Sequence, residues 1–293
     1  MVARDAEGER MGRFVYPIIF VCLNAILAAT DLRGATIHVP QEQPTIQAGI
    51  DAAGDGDTVL VGAGVYVGDG NRDIDYYGLM IVVCGEQGMD NTIIDCQGTD
   101  LDPHRGFSFT SGEDSNSVLI GFTVRHGFTP SDDHYLSGGW EYSYLGGGVL
   151  CWHASPLIID CRIADNLAGS LNDFNDISGG AGGGIGAQRS SVIMRHCVVE
   201  GNRAAYGAGI CLSQSSAIID SCLIQQNYGV AEIPGGTWNP QSEGARVWMS
   251  RTPAILQHSA AVQNYVHGGG GGFPYSKVPG YTSMAHRIRF LES

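Results

Sequence analysis

Residues 146–166 read GGGVLCWHASPLIIDCRIADN, and the chain repeats this twice more: GGGIGAQRSSVIMRHCVVEGN over 182–202 and YGAGICLSQSSAIIDSCLIQQN over 206–227. Anchored on Gly148, Gly184 and Gly209, each copy carries a cysteine 13 residues on (Cys161, Cys197, Cys222) and an asparagine five further (Asn166, Asn202, Asn227). Apolar columns lie between them: Val149, Ile185, Ile210; Ile158, Met194, Ile219; Ile163, Val199, Ile224. Two weaker copies flank these. SVLIGFTVRHG (117–127) has Phe122 and Gly127 at the Cys and Asn positions, and TPAILQHSAAVQN (252–264) has Ser259 and Asn264. The five copies are spaced 39, 36, 25 and 37 residues apart, so the interior keeps its register and only the connection changes.

Each unit is short, apolar and β-branched between polar turns, which predicts strands. A unit of about 25 residues cannot close a core alone, whereas stacked copies can, so self-similarity at this period predicts a solenoid. Stacked coils lie ~4.8 Å apart with like residues over like. The Cys column then reads as buried thiols used as small apolar side chains, with disulfides between coils as the alternative. The Asn column reads as an amide ladder satisfying backbone groups at a turn.

The chain has 293 residues and a net charge of -14. A field of that sign repels phosphate backbones, which argues against nucleic acid as a partner. Residues 1–30 read as a signal peptide, with a basic start at MGR (11–13), an apolar run over 14–29 and small residues after it. The run holds Pro17 and Asn24 and is too short to span a bilayer well. Translation is expected to start at Met11, and the mature chain to be exported as a monomer, secreted or at the cell surface, with no stable membrane span. Residues 31–270 are assigned to the solenoid, with a cap over 40–66. Residues 271–293 are an irregular tail that suggests a truncated end.

In PTIQAGIDAAGDGDTVLVGAGVY (44–66), Pro44 and Thr45 open a helix, Ile46, Ile50 and Ala53 share one face, and Gly54 stops it. Followed by a strand, this segment resembles the N-terminal cap of the pectin-lyase-like right-handed parallel β-helix superfamily. GLMIVVCGEQGMDNTIIDCQG (78–98) looks like the coil that follows such a cap. The glycine-run repeats with a later Asn also resemble those of polymorphic outer-membrane proteins and related surface β-helices. The resemblance covers about residues 35–270 and implies an all-β, right-handed parallel β-helix with an N-terminal helical cap. It leaves the activity open, because the superfamily holds lyases, hydrolases, esterases, epimerases and non-catalytic adhesins.

The longer spacings carry their extra residues between the Asn column and the next glycine run, at 128–145, 167–180 and 229–245, so three insertions leave one edge of the solenoid. Tyr135, Trp140, Tyr142 and Trp238 in them are candidate substrate-binding residues, because aromatic faces stack on sugar C–H faces while carboxylates and amides bind hydroxyls. The polygalacturonase motifs are absent. Arg125, Asp132, Asp133 and His134 are the candidates for catalysis, without a motif that fixes their roles. In DGNRDID (69–75), Asp69, Asn71, Asp73 and Asp75 alternate as calcium ligands do, but Ile74 and Met80 replace the Gly and late Glu of a calcium-binding hand. Calcium is therefore the one cofactor suggested. Asp160, His196 and Ser221 precede the Cys column in an order like that of a nucleophile triad, yet turn columns favour these same residue types. Arg195 and Asp220 are expected to pair across coils. The leading functional expectation is an exported β-helix that binds polysaccharide or a cell-surface glycan without catalysis. The alternative is a polysaccharide lyase or hydrolase acting on an acidic glycan.

Overall fold

The computed structural model describes residues 34–129, 145–171, 177–178, 180–230, 247–250, 254–267 and 288–289. Three parallel sheets run the length of these residues. The first has nine strands: eight parallel ones, from Thr36–Val39 through Leu157–Ile159 and Ser191–Arg195 to Ala254–Gln257, and Ile288–Arg289, which joins its end antiparallel. The second has seven, from Gly64–Tyr66 through Arg162–Ala164 to Ala260–Val262. The third has six, from Ile74–Asp75 through Val149–Trp152 to Val247–Ser250. Each coil contributes one strand to each sheet in turn, which is a parallel β-helix.

The repeat columns are the sheet registers. Val149 pairs with Ile185 and Ile185 with Ile210. Ile158 pairs with Met194 and Met194 with Ile219. Ile163 pairs with Val199 and Val199 with Ile224. The weaker copies fall in the same frame, with Leu119 beside Ile158, Val124 beside Ile163 and Leu256 beside Ile219. These side chains point inward and form one continuous core. Fully burying an aliphatic side chain is worth about 1.5–3 kcal/mol, and stacking like on like repeats that gain at every rung.

The chain turns between sheets on single residues in the left-handed region. One corner column holds Gly121, Asp160, His196, Ser221 and His258, the four non-glycines at φ of 48–56°. Another holds His126, Asp165, Gly201, Gln226 and Gln263. Non-glycine residues adopt this conformation reluctantly, with Asp and His among the more tolerant. Here each corner is pinned by the coil below it: the Asp160, His196 and Ser221 amides donate to the carbonyls of Arg195, Asp220 and Gln257, all at 3.0 Å.

The glycine runs exist because of the asparagines. A Cβ on Gly148 would lie 2.8 Å from Asn166 Nδ2, and one on Gly184 would lie 2.6 Å from the Gly209 carbonyl and 2.9 Å from Asn202 Nδ2. The glycine and the Asn of one coil are 18 residues apart in all three copies. The amides form a continuous ladder. Asn166 Nδ2 donates to Asn202 Oδ1 (3.0 Å), Asn202 Nδ2 to Asn227 Oδ1 (2.9 Å) and Asn227 Nδ2 to Asn264 Oδ1 (3.0 Å). Each Oδ1 also takes the backbone N–H of the preceding Asn, and each second Nδ2 hydrogen goes to a core carbonyl.

At the N-terminal side a six-residue helix, Ile46–Asp51, starts at Thr45, whose hydroxyl accepts the Ala48 N–H at 3.2 Å. Ile46 and Ile50 are buried among Val39 and Val59, and Ala53 packs against the same core. The helix ends before Gly54 because residues 54–57 already form a turn, closed by the Asp57 N–H to the Gly54 carbonyl and by Asp57 Oδ2 on the Gly54 N–H. The seven described cysteines are all buried, and none of them is in a disulfide.

Candidate binding edge

The four-stranded sheet Leu167–Ala168, Arg203–Ala204, Tyr228–Val230 and Tyr265–His267 follows the Asn ladder, and the insertions spring from it. Phe128 bridges to Leu167, so the first and second insertions leave from adjacent rungs. They also return in register, because Leu145 bridges to Ala181 and Ala181 to Tyr206 of the coil that has no insertion. The third leaves after Tyr228–Val230, which pairs with Arg203–Ala204. The returning limbs bury Leu145 and Ala181 with Leu150 and Cys211 in a small apolar cluster outside the main core, and Tyr206 packs against it. Asp132, Asp133, His134, Tyr135, Trp140, Tyr142 and Trp238 lie outside the described residues.

Beside the root of the first insertion sits an ionic cluster. Arg125 ends the strand Thr123–Arg125 directly beside Asp95. Its Nε and Nη2 lie 3.1 and 3.0 Å from Asp95 Oδ2, and His126 Nδ1 lies 2.9 Å from Asp95 Oδ1. Burial pushes the Asp95 carboxyl up, but the bonds and charges of His126 and Arg125 outweigh it and hold the group below its usual range. A second cluster adjoins it through the backbone, since Gly98 donates to the His126 carbonyl and Phe128 to that of His104. Here the His104 imidazole is held between Asp73 at Nδ1 and Asp102 at Nε2 (3.1 Å). Further along the second sheet's outer face, Arg162 reaches Asp90 at 2.9 Å and Glu200 at 3.4 Å, and Gln225 donates to Glu200 at 2.8 Å. Fixed carboxylates and guanidinium groups in a row suit a hydroxylated ligand laid along the stack.

The four oxygen-bearing residues of 69–75 are drawn to different partners. Asp69 faces Arg72 at 3.3 Å, and Asn71 Oδ1 accepts the Ile46 N–H at 3.1 Å. Asp73 Oδ1 accepts the Arg105 N–H at 2.8 Å, and Asp75 Oδ1 accepts the Tyr77 N–H at 2.7 Å. They share no common centre, and among the described residues no group of three or more His, Cys, Asp and Glu is arranged to hold a metal ion.

In the Asp160, His196 and Ser221 column, His196 and Ser221 are exposed and Asp160 is half-buried. His196 Nδ1 lies 3.5 Å from Asp160 Oδ1, but the Ser221 hydroxyl bonds Asp220 Oδ1 at 3.2 Å. Burial raises the Asp160 carboxyl, with His196 opposing. Arg195 and Asp220 are in register, yet the Asp220 carboxylate is taken by His258 at 3.0 Å rather than by Arg195. The corner conformation aims His258 back at the rung before it.

Sequence reading missed Asp95, His126, Asp73, Asp102 and His104 as a group. The signal was the register of 78–98 against 117–127, which sets Asp95 over Arg125. Comparison with known proteins adds little to this geometry. No protein-family model matches the chain, and no curated protein matches it either. Among solved structures, the chain is similar to the deglycosylated form of the pectin methylesterase from Aspergillus niger, at 15% identity over 83% of each chain with a TM-score of 0.32.

Proposed function

We propose that this protein is an exported or surface-displayed β-helix that binds a polysaccharide through the edge carrying its insertions, without catalysis. The supporting observation is the register of the insertion roots, in which Phe128 lies beside Leu167, and Leu145, Ala181 and Tyr206 lie on successive rungs. The first two segments leave consecutive rungs of one edge, ~4.8 Å apart at their bases, and the third leaves two rungs further on, so an extended ligand laid along that edge passes all three. Tyr135, Trp140, Tyr142 and Trp238 supply ring-stacking faces in these segments. The ionic row of Asp95, Arg125, Arg162 and Glu200 supplies polar partners nearby.

The second reading is a lyase or hydrolase of an acidic glycan using Arg125, Asp132, Asp133 and His134. It draws on the position of Arg125, three residues before Phe128 at the first root. Two assays on the full chain separate the readings. Calorimetric titration with uronate and neutral polysaccharides reads binding. Incubation with the same panel, with and without calcium, reads unsaturated and reducing ends. Binding without turnover supports the first reading, turnover replaces it with the second, and silence in both assays removes both.

A further inference from the structure

One rung of the insertion edge carries no insertion, and the residue it presents differs from its neighbours. The residue after each ladder asparagine points outward: Leu167, Arg203 and Tyr228 are partly buried, while Ala168, Ala204 and Gly229 next to them are buried. All three are pinned alike, their N–H groups donating at 2.8 Å to the carbonyls of Gly127, Asn166 and Asn202 on the preceding coil. Leu167 pairs with Arg203 and Arg203 with Tyr228, so they occupy successive rungs. The second and third insertions leave from the Leu167 and Tyr228 rungs, about 10 Å apart. On the rung between them the chain runs straight from Arg203 to Tyr206, in the copy whose spacing is 25 residues. Tyr206 stands at the return side of that rung, packed on the apolar cluster of Leu145 and Ala181.

We infer that this rung is a subsite for an anionic substituent of the polysaccharide, a carboxylate or a sulfate ester, bound by Arg203. The inference rests on the reading of this edge as the binding surface. Its ground is the way Arg203 is held. The guanidinium carbon lies 5.9 Å from the centroid of the Tyr228 ring on the next rung. An aromatic face orients a guanidinium plane and leaves its positive charge in place. Arg125 and Arg162 differ, because the carboxylates of Asp95, Asp90 and Glu200 lie within ion-pair distance of them. Arg203 is also the one Asp, Glu, Lys or Arg among the described strands of the four-stranded sheet, in a chain of net charge -14. No carboxylate on those strands therefore opposes an incoming anion. The planar fork of a guanidinium matches the paired oxygens of a carboxylate or a sulfate. Mounted on a hydrogen-bonded rung rather than on a loop, it is set in place before the ligand arrives.

The test titrates the full chain calorimetrically with two matched pairs of polymers: a polyuronate and its methyl-esterified form, and dextran sulfate and dextran. The expected result is that at least one anionic polymer binds roughly tenfold or more tightly than its uncharged counterpart, as a charge-assisted hydrogen bond gives. That preference shrinks as salt is added. The pair that shows it identifies the anion as carboxylate or sulfate. Arg203→Gln, with a melting curve like the parent's, brings the charged polymer down to the affinity of the uncharged one. Arg203→Lys keeps the charge but not the fork and retains only part of the preference. Equal affinity of the parent for charged and uncharged polymers, or a preference that survives in Arg203→Gln, would overturn the subsite and leave the binding edge standing. No binding of any of the four polymers would remove the edge reading itself, and the subsite with it.

Discussion

Asn202 and Asn227, on consecutive coils, are joined twice: the side-chain amide and the backbone N–H of Asn202 both donate to Asn227 Oδ1, at 2.9 and 3.0 Å. The Asn202 Oδ1 does the same for Asn166, and its second Nδ2 hydrogen goes to the Ile163 carbonyl. Truncating Asn202 to Ala therefore strands several buried donors and acceptors at once. At about 1–3 kcal/mol for each orphaned group, a loss on the order of 3 kcal/mol or more is expected, read as a fall in the denaturant midpoint. Asn264→Ala, at the last described rung, where the side chain is 8% exposed against 0–1% for the other three asparagines, should cost less, about 1–2 kcal/mol. Equal losses at the two sites would show that the ladder does not act as a buried unit.

Two glycines separate lack of space from backbone strain. Gly184→Ala puts a methyl 2.6 Å from the Gly209 carbonyl and 2.9 Å from Asn202 Nδ2, and overpacking of this kind costs about 3 kcal/mol. Gly112→Ala meets nothing within 4 Å but sits at φ 84°, so only the left-handed conformation resists it, at about 1–2 kcal/mol. Urea unfolding of both variants against the parent measures the ordering, and a Gly112 variant as damaged as the Gly184 one would contradict it.

Asp95 gives the acid limb of the stability profile. Its folded value lies below its unfolded value, because His126 and Arg125 favour the carboxylate. Its contribution is therefore present above the unfolded value of about 3.9 and is lost as pH falls through the folded one. Asp95→Asn should lower stability at neutral pH and flatten the fall in stability below about pH 4. Denaturation midpoints between neutral and acid pH measure this, and an unchanged acid slope would mean that Asp95 is not linked to folding.

On the functional side, Trp140→Ala and Trp238→Ala should each weaken polysaccharide binding about tenfold, consistent with the ~1 kcal/mol or more of a stacked aromatic face. The thermal midpoint should change little. Titration calorimetry and a melting curve on each variant read the two effects. A drop in melting temperature with affinity intact would place these rings in packing instead.

The three strong repeats were legible to the residue, because glycine, cysteine and asparagine hold fixed offsets and every column they define is a strand register. The coil through Phe107–Phe109 was not. It lacks the glycine run and fills its core with rings instead, with Tyr76 and Phe109 centroids 4.6 Å apart and Phe107 and Phe122 6.0 Å apart. The ionic clusters were also invisible. Asp73 and His104 lie 31 residues apart, and so do Asp95 and His126. That separation belongs to no repeat spacing in the strong copies. The Arg195–Asp220 pair was expected from adjacency alone, whereas a left-handed corner brings His258 closer to that carboxylate.

The ladder has a direction. Every asparagine donates toward the C-terminal side, from Asn166 to Asn264, and Gly127 opens the series with a backbone N–H on Asn166 Oδ1. At the last described rung Asn264 turns its second hydrogen to Val262 of its own coil. A coil inserted between two asparagines recreates identical junctions above and below itself. The molecule can thus be lengthened or shortened by whole rungs, like a ruler cut at its graduations, while loops of any length are spliced in between marks. Unequal spacing in the sequence and strict periodicity in space are two readings of that one scale.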